Sequence, residues 1–423
     1  MSSKYILFFL SLSVLISCSG PTMMSAKNKP LQGVNITIDP GHGDSEAYDN
    51  FRVGPSGERE EWINLRVAKT LNKMLSRAGA NVLLSRSEDK DLSLGGRATL
   101  AKKHHSDLLI SIHHNGSGVD FDMDLPIVYF FGPASQNPAS VDFAKILIQG
   151  MREKMTFEQA QMGAVYSDYL IYDSGTSILR NTIDQMPGVI GEGGFFTHPK
   201  GEARLKSKHY NKLEAEVYYE AILKYFERGL PIANPSLDKG QNFLDMTKAI
   251  EFKLDDGLGS TDFDIASLQI LQDGDTLEAK WDAVTGILSA VPLSSGKDEV
   301  TFHVFGRNLR GNALHPRPFT FVTEQGARWK SYSSWQAAFD QADSLVSKLG
   351  TQDSSSTEDE LFLLSEAIRL YQVSLEIQIV HPKARFAEEQ ILTLLEMKQL
   401  LSGDDMESEI REQRQRLSEY YPD

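Results

Sequence analysis

Two histidines and two glutamates in the first half of the chain sit in short polar motifs of the kind that line a reaction centre. The motifs are Asp39-Pro40-Gly41-His42-Gly43, Glu60 at the head of a helical run, Ser111-Ile112-His113-His114-Asn115, and Gly191-Glu192-Gly193-Gly194-Phe195. Imidazole nitrogen and carboxylate oxygen are zinc donors, and a catalytic zinc keeps three protein ligands so that water can take the remaining place. Two histidines and one glutamate meet that requirement. Glu192 is then the base that takes a proton from water activated at the metal. Asp39 and Asn115, each close in sequence to a histidine, are candidates to orient the imidazoles.

Three of these motifs follow apolar, β-branched runs at 34–38, 107–112 and 187–190, which read as buried parallel strands. In open α/β sheets, ligands bind in the crevice at the carboxyl ends of the strands. Glu60 arrives on an amphipathic helix with apolar positions at 63, 67, 71 and 74 to 75, and acidic side chains suit a helix N-terminus. The fold class expected of this half is α/β, an open and mostly parallel sheet with flanking helices.

Together the motifs resemble the zinc-dependent N-acetylmuramoyl-L-alanine amidases, which cleave bacterial cell-wall peptidoglycan. The likeness runs over about residues 33 to 230 and includes Leu84-Ser85-Arg86, Leu94 and Arg97. It implies His42, Glu60 and His113 as zinc ligands and Glu192 as the catalytic glutamate. It also implies the bond, between the lactyl carbonyl of N-acetylmuramic acid and the L-alanine of the stem peptide. Among Glu58, Glu60 and Glu61, the family spacing to Asn64-Leu65 selects Glu60, with Glu61 the second choice. Two departures stand out. His114 replaces the family's Ala and is expected to be a neighbour of the site, because adjacent strand residues point oppositely. The loop from Asp44 to Arg59 is long, acidic and aromatic, with Tyr48 and Phe51.

Some members of the family carry a helix between the third motif and the glutamate that blocks the zinc site. Here a strand at 127–131, a helix from about Ser140 to Met155 and the segment Tyr169 to Arg180 account for that stretch, which begins at Asp120, Asp122 and Asp124. The site is therefore expected to be open. Leu179-Arg180 resembles a family pair near the substrate cleft, and an Arg there is equally a surface salt-bridge partner. Other readings are a zinc deacetylase or peptidase acting on another wall amide, and a noncatalytic wall-binding scaffold.

The N-terminus places this chemistry. Residues 1–17 carry Lys4 and an apolar stretch too short for a membrane span. Leu15-Ile16-Ser17-Cys18 resembles the lipobox of bacterial lipoproteins, and Cys18 is the only cysteine in the chain. Residues 1–30 are accordingly expected to be a lipoprotein signal and tether. The protein would be exported and held by lipid on Cys18 at a membrane facing the periplasm or cell wall, next to peptidoglycan. A formal charge of -15 disfavours nucleic-acid binding.

The 423 residues exceed one domain. The catalytic domain is expected at 31–232, with a boundary at 229–235. Short period-two strands between about 248 and 322 predict a small immunoglobulin-like β-sandwich at 236–325. Trp281-Asp282 and Gly311-Asn312 resemble features of such modules, and His303 reads as a strand residue and not a ligand. Residues 326–423 turn helical, with candidates at 334–348, 358–379, 382–401 and 406–420, and a stripe formed by Leu361, Leu364, Ile368, Tyr371 and Leu375. This region has a weak tetratricopeptide-like pattern, which is either a protein-interaction surface or a packed helical cap.

Overall fold

The computed structural model describes residues 29–44, 52–117, 123–236, 244–295, 297–323, 335–349, 356–377 and 383–421. The expected signal, tether and Cys18, and also Tyr48, Phe51, Asp120 and Asp122, lie outside the described residues. No helix among the described residues is long and apolar enough to cross a membrane.

The first region is built on a six-stranded sheet in the order β2-β1-β3-β6-β4-β5. Its strands are β1 (Asn35–Pro40), β2 (Asn81–Leu84), β3 (Leu108–Asn115), β4 (Ile127–Phe130), β5 (Ala164–Ser167) and β6 (Gly188–Phe195). β2, β1, β3 and β6 run parallel, whereas β4 is antiparallel to β6 and β5 follows β4. The sheet is thus mixed, with its parallel half carrying the motifs. The two edge strands, β2 and β5, were not expected, because none of their residues is buried and neither carries the pattern of a core strand.

Side chains alternate across this sheet and bury two layers of helices. On one face, α1 (Glu60–Arg77), α3 (Pro138–Lys154) and α6 (Lys208–Glu227) pack Ile63, Val67, Leu71, Phe143, Leu147 and Tyr218 against Ile36, Ile38, Ile110 and Val189. On the other, α2 (Leu94–Lys103) and the short α4 (Ser177–Arg180) bury Ala101, Ile178 and Leu179 against Leu109 and Ile190. α5 (Pro199–Leu205) bridges β6 to α6.

A second region holds two four-stranded antiparallel sheets with a shared core of Ile250, Phe252, Leu254, Ile270, Leu288, Phe302 and Val304. One sheet orders β11 (Ala279–Asp282), β12 (Ile287–Ala290), β8 (Ile250–Asp255) and β7 (Ile232–Pro235). The other orders β10 (Asp275–Thr276), β9 (Gln269–Gln272), β13 (Glu299–Phe305) and β14 (Phe319–Val322). Burial in β8 and β13 alternates strictly, as period-two strands with one solvated face require. Residues 232–235, taken from the sequence as the boundary, form the edge strand β7 on β8.

The third region is helical: α7 (Trp335–Val346), α8 (Thr357–Ile377), α9 (Ala384–Ser402) and α10 (Glu407–Tyr420), each packed on the next. Leu364, Ile368, Tyr371 and Leu375 of the expected stripe are buried, and Leu361 lies at the margin.

Candidate metal site and its supports

The site begins where β1 stops. Pro40 ends the strand, and the chain turns through Gly41 into His42, whose φ of 58° lies in the left-handed region, a strained conformation for a residue with a Cβ. Two buried arginines hold this turn by its carbonyls. Arg86 donates to the oxygens of Pro40, Gly41 and Glu61, and Arg97 to those of Pro40, Leu92 and His42. Gly41 is required for a different reason: a Cβ there would lie 2.2 Å from the His113 ring.

Asp39 anchors Arg97 and does not orient an imidazole. Its carboxylate accepts from Ser85, Ser111 and Arg97. Burial works to raise its pKa, but the Arg97 charge and these hydrogen bonds hold it below the usual value. The expectation for Asp39 is corrected accordingly. The same holds for Asn115, whose side-chain nitrogen is buried without a partner and touches no histidine nitrogen.

β3 and β6 extend further than their apolar runs suggested, so His113, His114 and Glu192 lie within the strands. His113 and Glu192 are register partners, with an irregularity immediately beyond at Asn115. His42, Glu60 and His113 come together: Glu60 Oε2 lies 3.1 Å from His42 Nε2, and Glu60 Oε1 lies 3.1 Å from His113 Nδ1. One donor atom from each residue falls within 4.8 Å of the others, the one such cluster of His, Cys, Asp or Glu among the described residues. The neighbouring acids are engaged elsewhere, Glu61 with Arg59 and Glu58 with Arg66.

Glu192 is 9% exposed and its Oε2 has no hydrogen-bond partner. Burial, and then the Glu60 charge, push its carboxyl group up to about 8. Glu60 shows the opposite balance, because the imidazoles outweigh its burial and hold it well below the carboxylate range. Two buried carboxylates beside two imidazoles match the donor chemistry of a zinc ion and a proton acceptor.

His114 faces away from this cluster. Both ring nitrogens are occupied on the α1 and α6 face, Nδ1 with Asn64 Oδ1 at 2.7 Å and Nε2 with Glu214 Oε2 at 3.1 Å. Burial would depress its pKa, but the Glu214 charge and hydrogen bond raise it. Glu214 was not singled out from the sequence. The signal was present, since it interrupts an i, i+4 stripe of Tyr210, Tyr218 and Ile222 on α6.

A cleft of about 400 Å³ opens beside the cluster, lined by His42, His113, Asp44, Leu94 and Ile178 among others. A larger cavity, about 570 Å³, lies at the opposite end of the sheet between Asp107, Met186, Leu230 and Arg317. It gathers no metal-ligand cluster, so chemistry points to the smaller one. The described residues between β3 and β6 place no helix over the smaller cleft beyond α4 at its wall. Arg180 there makes no salt bridge among the described residues and donates to Ser174 and Gly175.

The sequence model of the family described as N-acetylmuramoyl-L-alanine amidase matches residues 36–224, the stretch that holds every group above. The uncharacterized protein YqiI of Bacillus subtilis (strain 168) is 30% identical over 207 residues, covering 47% of this chain and 88% of YqiI. The chain belongs to the amidase family. The N-acetylmuramoyl-L-alanine amidase LytC of the same organism is 28% identical over 200 residues, with 47% of this chain and 36% of LytC covered. The probable cell wall amidase LytH of Staphylococcus epidermidis (strain ATCC 12228 / FDA PCI 1200) is 27% identical over 212 residues, with 49% of this chain and 63% of LytH covered. The matches to LytH and LytC thus span less than two thirds of either relative.

Proposed function

We propose that this chain hydrolyses the amide between the lactyl carbonyl of N-acetylmuramic acid and the L-alanine of the stem peptide. His42, Glu60 and His113 would hold zinc, and Glu192 would move the proton. Family membership supports the reaction class, peptidoglycan hydrolysis. The residue roles rest on one observation, the convergence of three donors beside a buried carboxylate on the adjacent strand.

Zinc bound there supplies a Lewis acid that polarises the scissile carbonyl and acidifies water. Glu192 would receive the water proton on its carboxylate and hand it to the departing L-alanine nitrogen. Arg86 and Arg97 keep His42 in its left-handed turn while the substrate occupies the cleft between Leu94 and Ile178.

Mass analysis of peptidoglycan digested by the purified protein tests the bond. Stem peptides with a free N-terminal L-alanine are the expected product. Release of acetate with the peptide still attached would instead identify a deacetylase, and cleavage within the stem a peptidase. For location, we read residues 1–30 as a lipoprotein signal and tether, so that Cys18→Ser should move the protein from the membrane fraction to the soluble one. We read 236–325 as an immunoglobulin-like module for spacing or binding, and the helical region at 326–423 as either a partner-binding surface or a packed cap.

A further inference from the structure

We propose that His114, with Glu214 behind it, is a positioning residue that sets the Glu60 carboxylate and, through it, the affinity of the site for zinc. The inference rests on the metal reading above, and it concerns residues that touch neither substrate nor metal.

The chain of contacts is continuous and entirely buried. Asn64 Nδ2 donates to Glu60 Oε1 at 3.2 Å and to the Gly41 oxygen at 3.1 Å. An amide that donates through its nitrogen to two acceptors must accept through its oxygen, so the His114 Nδ1 that lies 2.7 Å from Asn64 Oδ1 carries a hydrogen. His114 Nε2 then faces Glu214 Oε2 at 3.1 Å, both side chains having no exposure to solvent. One proton must sit between those two atoms, on either side, and the pair is net neutral in both cases. The backbone N–H of His114 completes the arrangement by donating to Glu60 Oε1 at 3.1 Å. Glu214 thus fixes the ring, the ring fixes which way the Asn64 amide points, and the amide fixes both Glu60 and the turn that presents His42.

Two observations argue that this pair does more than fill space. Taking a histidine and a glutamate fully out of water is costly unless every polar atom is satisfied, yet Glu214 Oε1 has no partner. The pair also leaves no room on the neighbouring strand: a Cβ on Gly193, the residue after Glu192, would lie 2.4 Å from Glu214 Oε1 and 2.8 Å from His114 Nε2. An apolar pair would pack the same space without the unpaired oxygen. What an apolar pair would not do is orient Asn64.

The test is zinc affinity of the full chain, measured by competition with a chromophoric chelator, alongside the thermal unfolding midpoint. In the double variant His114→Ala, Glu214→Leu no buried charge is left without a partner, so the fold is expected to persist. Its zinc affinity should fall about 10- to 100-fold, the usual effect of losing a group that orients a metal ligand. Glu214→Gln, whose amide can donate to His114 Nε2, should stay within about threefold of the parent. A double variant that unfolds at a changed temperature but binds zinc as tightly as the parent would overturn the proposal, as would a Glu214→Gln variant as weak as the double. If the parent itself binds no zinc, the metal reading of the site fails, and the two failures are told apart by which protein loses the ion.

Discussion

The two ends of the central sheet use the same kinds of side chain to opposite effect. At the carboxyl ends of β1, β3 and β6, polar groups meet each other: His42, Glu60 and His113 converge, and Glu192 lies beside His113 on the next strand with an Oε2 that has no hydrogen-bond partner. At the amino ends, polar groups from the β-rich region meet backbone oxygens at the end of α6 and one carboxylate on α3. Asn308 and Asn312 donate to the oxygens of Tyr225 in the last turn of α6 and of Arg228 and Gly229 just past it, and Arg307 and the Ala313 N–H reach Asp142 on α3. An end that satisfies side chains of one region on carbonyls and a carboxylate of the other fixes the relation of the two. An end that crowds carboxylates against imidazoles retains the capacity to bind and react.

Removing the ion should break the catalytic end most completely. Chelation, or His113→Ala, is expected to take stem-peptide release to background, and added zinc should restore only the chelated parent. Retention of activity after exhaustive chelation would exclude the metal role. Glu192→Gln should be the next largest change. Loss of a general acid–base group lowers turnover by about 10²- to 10⁴-fold, and zinc content should be unaltered. Full turnover in that variant would remove Glu192 from the proton path.

The docking end should respond in stability and not in turnover. Asp142 Oδ2 accepts from Arg307 at 2.7 Å and from the Ala313 N–H at 2.9 Å, and the residue is buried. Asp142→Ala should cost about 3 kcal/mol of unfolding free energy, the scale of lost hydrogen bonds to a buried charged group. Turnover per folded molecule should match the parent. A turnover loss without a stability loss would show that the two ends are coupled.

How much of this could be read in the chain beforehand follows the range of the contacts. His42, His113 and Glu192 were visible because each ends a β-branched run, and Glu60 because it opens an amphipathic helix. Both are local patterns. The apolar face of α1 was legible for the same reason, with Ile63, Val67, Leu71 and Leu75 all buried. What joins distant segments was not. Arg97 reaches back 55 residues to the His42 oxygen, and Glu214 lies 100 residues from His114. Neither distance leaves a periodic trace. Gly311-Asn312 was read as a feature of the β-rich module itself, whereas Asn312 spends its amide on carbonyls of the first region. Position in a motif suggested Asp39 as a partner for imidazole. Only the fold shows that Arg97, arriving on α2, claims its carboxylate first.

The mildest perturbation is pH, and it should separate the two ends without any mutation. His315 sits between the β-rich region and the loop before β6, with Nε2 donating to the Ile183 oxygen at 2.8 Å and Nδ1 buried without a partner. Burial, and then the Arg317 charge, lower its pKa from the ordinary 6.5 to about 3. The native ring therefore stays neutral in a range where the unfolded chain's ring takes a proton, so unfolding binds protons. The contribution is complete above pH 6.5 and is lost progressively as pH falls from there toward 3. Near pH 5.5 the loss should be about 1 kcal/mol, one unit of the linkage. Denaturant titrations of the parent and of His315→Gln, whose amide can keep the bond to Ile183, should diverge on acidification, with the parent falling faster. Parallel curves would mean that the ring gains its proton without opening the junction, and that the amino end of the sheet is less tightly closed than its hydrogen bonds imply.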